Sequence, residues 1–143
     1  MSNAILLVED TASDEKLTLR MFKRSNLQNE VLVVRDGSEA LDYLLGKNHV
    51  DEFKELPALV LLDLNLPRVS GMEVLRRVRA DERAKHLPIV ILTASKEEED
   101  IVNGYALGAN AYVRKPVEFS AFTEAARTLG LFWLLSSEAV PAL

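Results

Sequence analysis

The sequence predicts an α/β fold, a five-stranded doubly wound parallel sheet with helices on both faces, and three observations carry that expectation. Five short, nearly continuous apolar runs recur along the chain. None alternates apolar with polar residues as a half-solvated strand would, so each reads as covered on both faces. Segments of helical length and pattern separate them, and strand alternating with helix implies right-handed crossovers in one parallel sheet.

Taken in order, Ile5-Leu6-Leu7-Val8 forms the first strand and Val31-Leu32-Val33-Val34 the second. After the second, Asp36 and Glu39 have the spacing of a capping box, which starts a helix. Residues 46–58, with Gly46, Asn48 and Pro57, make the longest connector before the third strand, Leu59-Val60-Leu61-Leu62. The fourth strand is Ile89-Val90-Ile91-Leu92. Ser95 with Glu98 repeats the capping-box spacing behind it, and the acidic run Glu97–Asp100 falls in a first turn, where the helix dipole favours it. Gly108 reads as the cap closing that helix, ahead of the last strand, Ala111-Tyr112-Val113.

One domain is expected over residues 1–143, with 129–143 as an extended end of the last helix and a tail. The apolar share of 48% and charged share of 27% are those of an ordinary globular protein. A net charge of −5 without a polybasic run argues against nucleic acid or an anionic membrane as partner. Cysteine is absent, which removes disulfides, thiol catalysis and thiolate metal sites. No stretch reaches the roughly 20 apolar residues that span a bilayer, and Met1-Ser2-Asn3-Ala4 lacks signal-peptide character, so a cytoplasmic location is expected.

In an open parallel sheet, ligands sit beyond the carboxyl ends of the strands. There the chain places Glu9 and Asp10, then Asp63 and Asn65, then Thr93 and Ser95, then Lys115 and Pro116. Three close carboxylates cannot all stay ionised in a cleft unless a cation offsets them. Oxygen ligands suit a hard ion such as Mg2+, with Mn2+ able to take its place. A carboxylate can act as nucleophile toward phosphorus, and the developing charge needs a hydroxyl and a cation, which Thr93 and Lys115 can supply.

These motifs, Val8-Glu9-Asp10, Leu61 to Pro67 followed by Gly71, Leu92-Thr93-Ala94, Gly108-Ala109 and Lys115-Pro116, resemble the receiver domains of two-component response regulators. The resemblance runs in order from residue 4 to about 128. It implies the flavodoxin-like (βα)5 receiver fold and phosphorylation of Asp63 by a phosphohistidine of a sensor histidine kinase. It implies Mg2+ ligation by Asp10, Asp63 and the backbone carbonyl of Asn65, with Glu9 acting through water. Thr93 and Tyr112 become the switch pair, Asn65 and Ser95 tune loss of phosphate, and the Lys115–Pro116 bond is cis. Position 9 is Glu where many members carry Asp, a common variant. The long connector and the ending Leu131-Phe132-Trp133-Leu134 are similar to stand-alone regulators paired with bacterial phytochrome-type kinases.

Such a protein is a phosphoacceptor with its own autophosphorylation and autodephosphorylation chemistry rather than an enzyme acting on other molecules. A phosphatase of the haloacid dehalogenase type uses the same residue types, but needs an Asp where Asn65 stands and a late acidic pair where Glu9-Asp10 comes first. A flavodoxin-like cofactor domain would need a phosphate-binding glycine loop after the first strand, and none is there. The continuous apolar run Leu129–Leu135 exceeds one helix stripe and predicts a homodimer through the fourth helix, fifth strand and fifth helix, with Phe119, Phe122, Phe132 and Trp133 as interface candidates. His49, His86 and the arginines Arg76, Arg77 and Arg79 are expected on the solvated surface.

Overall fold

The computed structural model describes residues 3–46, 56–104, 108 and 111–131. Within them ten elements alternate: β1 (Ile5–Val8), α1 (Ala12–Arg24), β2 (Val31–Val34), α2 (Gly37–Leu45), β3 (Leu59–Asp63), α3 (Gly71–Ala80), β4 (Ile89–Thr93), α4 (Lys96–Gly104), β5 (Ala111–Arg114) and α5 (Phe119–Thr128). All strand pairs are parallel and the spatial order is β2-β1-β3-β4-β5. The chain first runs outward from β1 to β2, then reverses through β3, so the cleft between the ends of β1 and β3 is the switch point of the sheet.

The central strands β1, β3 and β4 are buried throughout, which explains their uninterrupted Ile, Leu and Val. Coverage on both faces does not extend to the edges, where β2 and β5 are only partly buried because each lacks a neighbour on one side. Two apolar cores follow from the pleat. Leu6, Val8, Val60, Leu62, Ile89 and Ile91 face α2 and α3, whereas Ile5, Leu7, Leu59, Leu61, Val90 and Leu92 face α1 and α5. On the second side Phe22 and Phe122 meet edge to face, ring centroids 5.0 Å apart, a contact worth about 1 kcal/mol beyond its buried area.

Capping sets the helix ends. Asp36 accepts from the Glu39 N–H at 2.7 Å, while Glu39 reaches back to the Arg35 N–H at 3.1 Å. Ser70 caps α3 in the same way, a Ser-x-x-Glu signal that the sequence also carries. The last helix is shorter than expected. It closes at Thr128 with Gly130 at φ +72°, the Leu131 N–H bonding to Ala126 O and the Gly130 N–H to Arg127 O, a Schellman end that turns Leu131 back into the core. Gly108 is left-handed at φ +81°, and the described part of α4 runs to Gly104.

Phe122 also departs from expectation. It is buried at 1% exposure in the chain's own core and offers no surface to a second copy, whereas Phe119 is 42% exposed. Phe132, Trp133 and His49 lie outside the described residues. Arg79 is not on the solvated face with Arg76 and Arg77. Its guanidinium donates to Gly108 O, Lys85 O and Leu87 O, fastening α3 to the connections that lead into β4 and into β5. Among the described residues no helix is long and apolar enough to cross a membrane.

Candidate functional site

Strand register brings the site together. Val8 pairs with Leu62, so Glu9 and Asp63 leave β1 and β3 side by side. Asp63 pairs with Leu92 and Thr93 with Arg114, which puts Thr93 and Lys115 one step further along the same edge. The Lys115 N–H donates to Thr93 O at 2.8 Å, tying the last connection to β4. The Lys115–Pro116 bond is cis. Gly71 is required behind Asp63. A Cβ there would sit 2.2 Å from Asp63 O and 2.7 Å from Leu64 Cα, closer than any side chain can approach.

Oxygens of Glu9, Asp10 and Asp63 lie within 4.8 Å of one another, with Glu9 and Asp63 buried and Asp10 exposed. The Lys115 ammonium stands among them, 3.0 Å from Asp63 Oδ2 and 3.1 Å from Glu9 Oε2. It also reaches Asp14 Oδ2 at 3.1 Å, a fourth carboxylate that the sequence reading did not single out. Asp14 lies in the first turn of α1, where an acid is expected for helix stability alone, so its position carried no separate signal. Asp63 Oδ1 accepts the Asn65 N–H at 3.2 Å, and Glu9 Oε1 accepts the Thr11 N–H at 3.2 Å.

Three carboxylates, those of Glu9, Asp14 and Asp63, thus share one ammonium, and the electrostatics show it. Burial, followed by the neighbouring Asp63, pushes the Glu9 carboxyl up to about 7, against the pull of Lys115. Burial opposes the charge on Lys115, but Asp63 and Glu9 overcome it and hold the ammonium above its ordinary range. The donor set fits a hard dication, since all the ligands are oxygens and the negative charge is only partly offset.

Thr93 is buried at 1% exposure, and its Oγ1 is the buried side-chain polar atom with no hydrogen-bond partner among the described residues. An orphaned buried hydroxyl costs about 1–3 kcal/mol, so it marks a place for a ligand acceptor. Tyr112 is partly buried against the α2–α3 core, and its hydroxyl is shifted up by burial and then by Glu99. Ser95 caps α4, its Oγ accepting the Glu98 N–H at 3.2 Å. Glu98, noticed in the sequence only as a cap, extends one oxygen to the Ala94 N–H at 2.9 Å and the other to Asn65 Nδ2 at 3.0 Å.

Residues 5–127 match the model of the response regulator receiver domain family. The chain belongs to that family. Among its relatives this receiver domain is 38% identical over 130 residues to the probable methanogenesis regulatory protein FilR2 of Methanothrix harundinacea, covering 91% of this chain and 83% of that one. It is 35% identical over 130 residues to the response regulator Rcp1 of Synechocystis, covering 91% and 88%. Its fold superposes on the bacteriophytochrome response regulator AtBRR with a TM-score of 0.87 at 46% identity, covering 99% of both chains. On the bacteriophytochrome response regulator RtBRR the TM-score is 0.86 at 50% identity, covering 99% and 86%.

A histidine kinase partner and a phosphoacceptor role come with the family, and two of the solved structures this chain resembles are bacteriophytochrome response regulators. Two further structures bear on the metal. Rcp1 is known in a Mn2+-bound form (TM-score 0.70, 34% identity, 97% and 99% covered). The receiver of the sensor kinase PA1611 from Pseudomonas aeruginosa holds Mg2+ in its active-site cleft (TM-score 0.73, 27% identity, 91% and 99% covered). The acidic cluster of this receiver is consistent with divalent metal binding.

Proposed function

We propose that Asp63 is the phosphoacceptor and that residues 1–143 work as one receiver whose phosphodonor is a phytochrome-type sensor histidine kinase in the cytoplasm. The observation that carries this is the surroundings of Asp63, a buried carboxylate with the Lys115 ammonium at 3.0 Å and the unpartnered Thr93 hydroxyl on the neighbouring strand end. An oxygen of Asp63 bonds to phosphorus as the phosphorus–nitrogen bond of the donor phosphohistidine breaks, and the electron pair leaves with the imidazole. Asp10, Asp63 and the backbone carbonyl of Asn65 would hold Mg2+ directly and Glu9 would hold it through water, with Mn2+ as a substitute, and the ion would supply positive charge that offsets the clustered carboxylates and the transferred group. Lys115 supplies a point charge and Thr93 a hydrogen bond to the transferred group. Tyr112 turns toward the space that Thr93 vacates, and Asn65 and Ser95 set access of the water that removes the phosphoryl group.

The output is a changed protein surface rather than turnover of another substrate or nucleic-acid binding, in keeping with the charge of −5. A homodimer through α4, β5, α5 and residues 119–135 is the proposed assembly, supported by Phe119 and by Ile101 at 55% exposure. The test is phosphotransfer from an autophosphorylated phytochrome-type kinase. The label is expected to move to this receiver within minutes in Mg2+ and to stay on the kinase in EDTA. Equal transfer with and without the ion contradicts the proposal.

A further inference from the structure

We infer that Glu98 is a positioning residue for the phosphoryl site, a latch that holds the start of α4 against Asn65 until phosphorylation of Asp63 displaces it; the inference rests on the Asp63 assignment above. In the capping box of α2 the acid at the third helical position, Glu39, accepts the N–H of the residue before the cap, Arg35. Glu98 does more. Its Oε2 accepts the N–H of Ala94, the residue after Thr93, and its Oε1 reaches 33 residues back in sequence to Asn65 Nδ2. Asn65 in turn donates its backbone N–H to Asp63 Oδ1 at 3.2 Å. One carboxylate thus spans the two connections flanking the acceptor, one after β3 and one after β4.

A phosphoryl group on Asp63 brings close to two negative charges and three strong acceptor oxygens. The donors at that rim are few. Among the described residues Thr93 Oγ1 is buried and without a partner, Lys115 is shared among carboxylates, and the N–H of Ala94, the residue after β4, is spent on Glu98. The phosphoryl group and Glu98 therefore compete for one backbone donor, and as like charges they repel. When the phosphoryl group prevails, Glu98 leaves Ala94 and Asn65, and the first turn of α4 keeps only the Ser95 cap. The contact that quiets the site is the one that phosphorylation undoes, so Glu98 sets both the ease of phosphorylation and the resting position of α4.

The experiment compares the full chain with Glu98→Gln and Glu98→Ala, using acetyl phosphate and Mg2+. Glu97→Gln serves as a control for loss of one negative charge from the same turn. Glu98→Ala is expected to raise the autophosphorylation rate about fivefold, the factor that corresponds to the net loss of one hydrogen bond. Glu98→Gln, which keeps one acceptor oxygen, falls between Glu98→Ala and the parent, and Glu97→Gln stays near the parent. In 15N spectra the unphosphorylated Glu98→Ala protein shows its Ala94 and α4 amides moved toward the positions they take in the phosphorylated parent. A rate change matched by Glu97→Gln, or Ala94 and α4 signals that respond to phosphorylation equally in the variants and the parent, overturns the latch. Failure of the underlying assignment reads differently, as unimpaired labelling of Asp63→Asn.

Discussion

Asp14 Oδ2 lies 3.1 Å from Lys115 Nζ, so the ammonium that reaches Asp63 is also held from the first turn of α1, 101 residues away in sequence. Asp14 orients the lysine. Asp14→Asn is expected to slow labelling by acetyl phosphate up to about fivefold, as loss of a partly exposed ion pair allows. In a Lys115→Ala background the same substitution should change the rate by much less. Equal effects of Asp14→Asn in both backgrounds would mean that it acts as diffuse charge and not through Lys115.

The Glu9 carboxyl is pushed up to about 7 in the metal-free receiver, from the 4.5 of an exposed Glu. The folded chain therefore binds this proton more tightly than the unfolded chain does, and the metal-free fold loses stability as pH rises from 4.5 through 7. Mg2+ needs the ionised form, so its affinity should climb between pH 6 and 8 and binding below pH 7 should release protons, on the order of one per ion. Calorimetry in buffers of different ionisation enthalpy measures that release. Glu9→Gln is expected to abolish it and to flatten the decline in metal-free stability. A proton count that does not differ between Glu9→Gln and the parent would remove Glu9 from the account.

Phe122 and Phe119 separate core from surface three residues apart. Phe122→Ala empties a fully buried site against Phe22 and should cost about 3–5 kcal/mol in urea unfolding. Phe119→Ser is expected to leave stability within about 0.5 kcal/mol, as exposed substitutions do. If the α4–β5–α5 region joins two copies, sedimentation of Phe119→Ser shows weaker self-association than the parent. Unchanged mass across concentrations for both proteins would leave that region without a role in assembly.

Gly71→Ala places a methyl group where Asp63 O and Leu64 Cα leave no room. The connection after β3 must shift, so both the melting temperature and the labelling rate should fall together. A variant with parental stability and parental labelling would show that the close approach behind Asp63 is dispensable.

The sheet and most of the site were legible in the sequence because strand-end residues are read directly from where an apolar run stops. Asp63, Thr93 and Lys115 follow that rule, and parallel register then places them on one edge without further information. What the sequence did not yield are contacts between side chains far apart in the chain. Asp14 and Glu98 sit in first turns of helices, where acids have an ordinary reason to be, so their reach to Lys115 and Asn65 had no separate signature. Arg79 lies among other arginines on α3, and only the fold distinguishes the one whose guanidinium meets three carbonyls. Composition puts Phe122 beside Phe119 as an interface candidate, but helix phase decides which of two nearby aromatics points inward.

On the proposed function, a single buried carboxylate at the end of β3 receives the phosphoryl group. Labelling with acetyl phosphate and Mg2+, followed by mapping of the hydroxylamine-labile acyl phosphate on proteolytic peptides by mass spectrometry, tests it most directly. The predicted result is one phosphoryl group per chain on the peptide carrying Asp63, absent in Asp63→Asn and absent in EDTA. Label on any other residue, or full labelling of Asp63→Asn, would contradict it.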